Sequence, residues 1–316
     1  MHGPFKAGDF EFLSAIFVSN DIELGIPVYI LYTLHAILVV ISIIIAIIMI
    51  KRLTNSALHS NIRILLEFQL FEFILFGIGE LILRLYQLNI LIITKDFWPD
   101  FPLIYASFMF FWFLYSLLFH MELSLIERIV ATFKAQTYEK SRHLVFGVAL
   151  ITIKTILCLF IAYLCVRRLL GPNGIWIGAS CTSTVSVTTI LGFIFLNWYN
   201  KKCIRRLHSR IQPASHYTLS LKFQLKENVL VFKYFGALNA LNMTLNLNVM
   251  FFMISVYITA LSTYQPYVMV SMEIMLAIYP IGVFIITNKL AKNEHLRIED
   301  GNLTDEYFNQ LQQSWQ

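Results

Sequence analysis

Val28-Tyr-Ile-Leu-Tyr-Thr-Leu-His-Ala-Ile-Leu-Val-Val-Ile-Ser-Ile-Ile-Ile-Ala-Ile-Ile-Met-Ile50 runs without an acid, lysine or arginine and closes on Lys51-Arg52. As an α-helix this stretch reaches roughly 35 Å, enough to cross a hydrocarbon core of about 30 Å. The rest of the chain has the same character. Of its 316 residues 58% are hydrophobic, 15% are aromatic and only 14% are charged. A soluble domain carries about 25% charged residues and needs them to cover its surface. Thirteen Gly, eight Pro and four Cys exclude a collagen-like, disordered or disulfide-stapled chain. The composition predicts a membrane protein with several spans.

Six further apolar stretches follow, at about Ile64–Leu85, Leu103–Ile126, Leu144–Val166, Ile177–Tyr199, Ala237–Leu261 and Val268–Thr287. The expected fold is an all-α membrane protein, a seven-transmembrane-helix bundle with its termini on opposite sides. Lys and Arg set the direction. With the N-terminus outside, the inner segments carry eighteen basic residues and the outer ones four. This predicts an extracellular segment 1–27, a seven-helix domain 28–287 and a cytoplasmic tail 288–316. The net charge of +5 thus belongs to the inner loops and gives no reason to propose nucleic acid. Residues 1–26 lack the basic and apolar regions of a cleavable signal, so the first span is expected to direct insertion. Trp98, Trp176 and Trp198 fall near the predicted membrane faces, as interfacial aromatics do. The sequons at Asn242 and Asn302 fall in a span and in the inner tail, where no glycan is expected. Cys158, Cys165, Cys181 and Cys203 leave the outer loops without a cysteine, so no outer disulfide is expected.

Glu127-Arg128 stands at the inner end of the third span, where an acid beside an arginine can hold it in a resting bundle. A plain topogenic charge would look the same. Longer strings add to this pair. Glu127-Arg-Ile-Val-Ala-Thr followed by Tyr138-Glu-Lys, and Tyr217-Thr-Leu-Ser followed by Phe223-Gln-Leu-Lys-Glu-Asn228, resemble the second and third inner loops of the nematode serpentine receptors of class epsilon, the Sre chemoreceptors. Ala57-Leu-His-Ser-Asn61 and Ile278-Tyr-Pro280 are similar to shorter features of that family in spans two and seven. The resemblance runs from Pro27 to Thr287. It implies a G-protein-coupled receptor for a small environmental chemical, in the plasma or ciliary membrane of a sensory neuron, with a heterotrimeric G protein as partner. Glu127, Arg128, Lys201, Lys202, Arg205 and Arg206 are the coupling candidates.

Ionisable residues inside a span are costly and point to the bundle interior. Glu80 and Arg84 are spaced i, i+4 in the outer half of span two, and Glu273 enters from span seven, so the three can form an ion triad below the outer mouth. A deeper group, Glu72, His120, Glu122 and Lys154, reads as structural pairing. Asn239, Asn242 and Asn246 make one stripe on span six, serving as interhelical glue or as a water-bonded latch. Tyr105, Phe108, Met109 and Trp112 make an aromatic stripe on span three, with Phe252 and Ser255 placed to face it from span six. Such a pocket suits a small, mostly apolar ligand, although a stripe of this kind also packs on a neighbouring helix. The ligand candidates are Glu80, Arg84, Tyr105, Phe108, Trp112, Phe252, Ser255 and Glu273. Pro280 can break the seventh helix's ladder and hinge it. Asn288 to Ile298 can lie along the inner surface.

No metal-binding, nucleophile-elbow or phosphate-loop motif occurs, and neither catalysis nor any metal or cofactor is expected. A transporter would show inverted repeats, which seven unequal spans do not. A seven-span ligand-gated channel is the alternative, and its inside N-terminus is opposed by the charge asymmetry.

Overall fold

The computed structural model describes residues 5–7, 10–12, 25–54, 60–94, 96–134, 144–167, 174–209, 236–238, 240–248 and 265–299, with residues 169, 232 and 251. The chain is a bundle of long helices: α1 (Ile26–Thr54), α2 (Ser60–Gln87), α3 (Phe97–Phe133), α4 (Leu144–Val166), α5 (Gly174–Ser209), α6 (helical residues 240–248), α7 (Gln265–Ala277) and α8 (Tyr279–Glu299). Among the described residues four stretches are long and apolar enough to cross a membrane: Ile26–Thr54, Phe97–Phe133, Val145–Val166 and Val270–Lys289. α2 is as long, and its interior charges lower its apolarity.

A membrane bundle should expose apolar surface and keep its polar groups inside, because lipid cannot satisfy them. That is the observed arrangement. On α1, Ile30, Leu34, Ile37, Ile44 and Ile47 are exposed while Tyr32, His35 and Ser42 are buried. On α4, Val145, Ile153, Ile156 and Phe160 are exposed, whereas Lys154 is 3% exposed. Glu72, Glu80, Arg84, Glu127, Arg128 and Glu273 are each at 1% or less.

α2 packs on α1, α3 and α4; α3 packs on α2, α4 and α5; α1 also meets α7 and α8. The central seam is aromatic, with Phe76 stacked on Phe113 at 4.5 Å between centroids and Tyr279 edge-on to Phe113 at 6.3 Å. Small residues let helices approach. A β-carbon on Gly192 would lie 2.5 Å from Leu125 Cδ2, so this glycine leaves room for the Leu125 side chain where α3 meets α5.

The structure corrects two expectations and matches a third. The all-α reading omits a short antiparallel hairpin, β1 (Phe5–Ala7) with β2 (Phe10–Phe12), in register Phe5↔Phe12 and Ala7↔Phe10. Alternating apolar and polar residues around Gly8-Asp9 carry the period-two pattern of strands. Three-residue strands fall below the length at which that pattern stands out. Second, the basic residues after Tyr199 are not all loop: α5 runs on to Ser209. Lys and Arg are good helix formers, and their charge ends a membrane span without ending a helix. Third, the seventh stretch is interrupted near Pro280, as the proline predicts, although Ile278 N–H still donates to Ile274 O and Gly282 N–H to Ile278 O. α7 stops at Ala277, Ile278 is a turn, and α8 starts at Tyr279-Pro280 and continues to Glu299. Pro280 has no N–H and its ring crowds the preceding turn, which accounts for a break there. The segment Asn288 to Ile298 therefore continues α8, and Arg52 at the end of α1 donates to Asn288 Oδ1 at 2.6 Å.

Candidate functional site

Three charge clusters are set at successive depths of the bundle. The outermost joins α1, α2 and α7. Arg84 on α2 donates through Nη2 to Glu80 Oε2 at 3.1 Å and to Glu273 Oε2, and through Nη1 to Gln87 Oε1. Tyr32 of α1 lies beneath the guanidinium, 4.9 Å from its centre. One turn of α2 brings Glu80 and Arg84 together, as their spacing predicts, and α7 supplies the long-range partner. Two carboxylates face one cation, and Glu80 Oε1 and Glu273 Oε1 have no hydrogen-bond partner. Losing one side of such a buried pair costs about 3–5 kcal/mol. The cluster thus ties α2 to α7 firmly and holds an electrostatic imbalance below the predicted outer mouth.

The second cluster joins α2, α3 and α4. Lys154 Nζ donates to Glu72 Oε2 at 2.6 Å, to Ser116 Oγ at 2.8 Å and to Gln69 Oε1 at 3.4 Å, which uses its three N–H donors. Ser116 also donates to Glu72 Oε2. The ring of Phe68 stands 5.2 Å from the ammonium. Of the residues grouped with Lys154 from the sequence, Glu72 is joined to it. His120 is buried nearby with neither ring nitrogen hydrogen-bonded. Glu122 is half-exposed and stands outside the network. Sequence reasoning missed Ser116 and Gln69. Ser116 is one helical turn before His120, a spacing that marks the same face of α3.

The third cluster is toward the C-terminal end of α3, the predicted inner end. Arg128 donates to its neighbour Glu127 through Nε at 2.5 Å and through Nη2 at 2.7 Å, and both side chains are buried. A bidentate guanidinium–carboxylate pair is among the strongest neutralising contacts available to an arginine. Beside it, Asn200 Nδ2 of α5 donates to Thr132 Oγ1 at 3.2 Å. The basic residues that follow lie on the α5 extension: Lys201 and Arg205 are exposed, and Lys202 stands over Trp198 at 4.7 Å. The Arg206 side chain lies outside the described residues.

The aromatic stripe is divided between packing and surface. Trp112 is buried, Tyr105, Phe108 and Met109 are half-buried, and Trp112 Nε1 has no partner. Tyr115, one turn after Trp112, has its hydroxyl 3.4 Å from Cys165 Sγ of α4. Met109 Cβ lies 3.3 Å from where a β-carbon on Gly79 of α2 would stand. The stripe therefore looks toward α2 and α4. Phe252 and Ser255 lie outside the described residues, as does Asn239. On the opposite side of α3, Leu118 and Met121 line a cleft with residues of α5 and α6, among them Ser186, Thr189, Asn242 and Asn246. Asn246 Nδ2 donates to Ser186 Oγ at 3.4 Å across the cleft, and both amide atoms of Asn242 are buried without a partner. No group of three or more metal-ligating side chains occurs among the described residues.

An apolar exterior around helices whose interior holds paired charges defines a multi-pass helical membrane protein. The chain matches the family described as Sre G protein-coupled chemoreceptor over residues 5–293, and it belongs to that family. It is 29% identical over 184 residues to serpentine receptor class epsilon-1 of Caenorhabditis elegans, covering 56% of this chain and 50% of that protein. It is 28% identical over 121 residues to serpentine receptor class alpha/beta-14 of the same nematode, covering 34% of this chain and 30% of that protein. The chain thus spans half or less of the length of the curated relatives it matches.

Proposed function

We propose that the chain is a seven-span chemosensory receptor, N-terminus outside, that binds a small environmental chemical in the bundle and activates a heterotrimeric G protein at its inner face. Residues 1–27 form the outer segment, 28–287 the helical domain and 288–316 the cytoplasmic tail, in the plasma or ciliary membrane of a sensory neuron. It is a receptor, not an enzyme. The ligand sits in the outer half against Tyr105, Phe108 and Trp112 on the α2- and α4-facing side of α3, and Phe252 and Ser255 of span six remain candidates for its contacts. Glu80, Arg84 and Glu273 shape its floor.

The observation that carries this reading is the buried bidentate Glu127–Arg128 pair closing α3. Its neutralised guanidinium sits where a docking helix would arrive, and the exposed Lys201 and Arg205 rim the same side. Lys202 and Arg206 follow on the same basic stretch of α5. In the resting bundle Glu127 occupies Arg128. Activation frees the guanidinium for the G protein, a two-state contact of the kind that switches use. Rim charges steer encounter, so their removal weakens coupling partly and in a salt-dependent way.

The test is basal G-protein recruitment to surface-matched cells expressing each variant with a promiscuous Gα. Arg128→Ala should lower recruitment by about tenfold or more, within the ~1–3 kcal/mol typical of coupled sites. Glu127→Gln should raise it, because the guanidinium is released. Neutralising Lys201, Lys202, Arg205 and Arg206 together should reduce it only partly. Recruitment by Arg128→Ala equal to the parent would remove the central residue of this mechanism.

A further inference from the structure

The cleft between α3, α5 and α6 is separate from the three charge clusters. Its walls mix Met121 and Met243 with the polar groups of Ser186, Thr189, Asn242 and Asn246, and none of the described residues lining it is ionisable. Asn242 is 2% exposed, lines the cleft, and leaves both its amide oxygen and amide nitrogen without a partner. The hydroxyl of Thr189 donates to Val185 O at 2.8 Å, which leaves its oxygen lone pairs free to accept. Ser186 is already engaged by Asn246.

Size and access narrow the occupant. The cleft is partly open; its interior admits about one water-sized group, and the empty space of about 250 Å³ includes the surroundings of its open side. Leu118 and Met121 lie past the midpoint of the third apolar stretch, and Val187, Leu191 and Leu247, next in sequence to the lining residues Ser186, Ile190 and Asn246, are more than half exposed. The mouth therefore faces hydrocarbon. A carboxylate, ammonium or phosphate would bring an unpaired charge into a cleft with no counter-ion. A single hydroxyl fits the inner part, accepting from Asn242 Nδ2 and donating to Asn242 Oδ1, while a carbonyl oxygen there accepts from Nδ2 alone. An apolar body fits the mouth.

We infer that this cleft is a binding site for a small neutral amphiphile bearing one hydroxyl or carbonyl group, which reaches it from the bilayer between α5 and α6 and hydrogen-bonds to Asn242. Its occupant bears on α5–α6 contact through the adjoining Asn246–Ser186 bond. The site stands whether or not the inner face couples to a G protein.

The experiment uses the full chain in lipid nanodiscs and a diazirine-bearing octanol as probe, with adducts mapped by peptide mass spectrometry after photolysis. Adducts should concentrate around Ser186 and Met243. Excess 1-octanol should displace them, whereas octylammonium and octanoate should not. Asn242→Leu should weaken labelling about fivefold, the factor given by one neutral hydrogen bond of about 1 kcal/mol. Thr189→Val provides a second, milder lesion if Asn242→Leu does not reach the membrane. Displacement by cholesterol placed in the disc would identify a bilayer-resident occupant, and displacement by octanol alone one that arrives from outside; both uphold the site. Three results would overturn it. One is labelling spread evenly over the lipid-facing sides of α1 and α4. Another is equal displacement by the charged analogues. The third is undiminished labelling in both variants, which would leave the cleft a water site only.

Discussion

Lys154 shows what a single residue costs and what it takes to keep it. A lysine in hydrocarbon is unfavourable by at least ~2.5 kcal/mol, and here α2 and α3 surround it with three acceptors. Lys154→Met should therefore strand Glu72 as an unpaired buried carboxylate. The expected loss is about 3–5 kcal/mol, seen as lost surface expression and a lower unfolding midpoint in detergent. Lys154→Met with Glu72→Gln should recover most of both, because removing the two charges together leaves neither stranded. Failure of the double variant to recover would mean that the ion pair has a role beyond neutrality. At this scale the sequence was informative where spacing is local. Glu80 and Arg84, one turn apart, are bonded as expected, and Glu273 joins them from α7. Gln69 and Ser116 were not legible, since a neutral side chain in an apolar run gives no signal until a charge on another helix selects it. Glu122 was grouped with Lys154 by depth alone. Depth along an axis does not fix the face, and it stands apart.

α3 and α5 cross where Gly192 meets Leu125. Gly192→Ile should overpack against the Leu125 side chain and cost about 1–3 kcal/mol of stability. Leu125→Ala in the same chain should restore part of it by vacating the space, and thermal unfolding of the two variants measures the difference. No rescue would mean that the glycine is needed for its backbone and not for its size. Pro280, after the break at Ile278, makes a second prediction at this scale. Pro280→Ala should restore the ladder across the break, preserve expression and lower G-protein recruitment if bending there accompanies activation. Helix bounds were legible at α4, whose limits Leu144–Val166 match the expected ones, but α3 runs on past the charged pair Glu127-Arg128 to Phe133. They were not legible past Tyr199, where the hydropathy signal ends but the helix does not, nor at the β1–β2 hairpin, whose strands are three residues each.

Over the whole molecule, residues that a soluble protein would bury face outward on α1 and α4, while the charges are inside and paired. That inversion places the chain in a bilayer, and the Lys and Arg distribution predicts its direction, N-terminus outside. The proposed mechanism depends on that orientation. It would put Arg128 and the basic end of α5 on the cytoplasmic side, and the Arg84 cluster near the outer one. The most direct measurement is antibody access to epitope tags in intact and in permeabilised cells. A tag at residue 2 should stain on intact cells, and tags after Cys203 or after Gln316 should stain only once the membrane is opened. The reverse pattern would contradict the orientation and, with it, the G-protein mechanism at the inner end of α3.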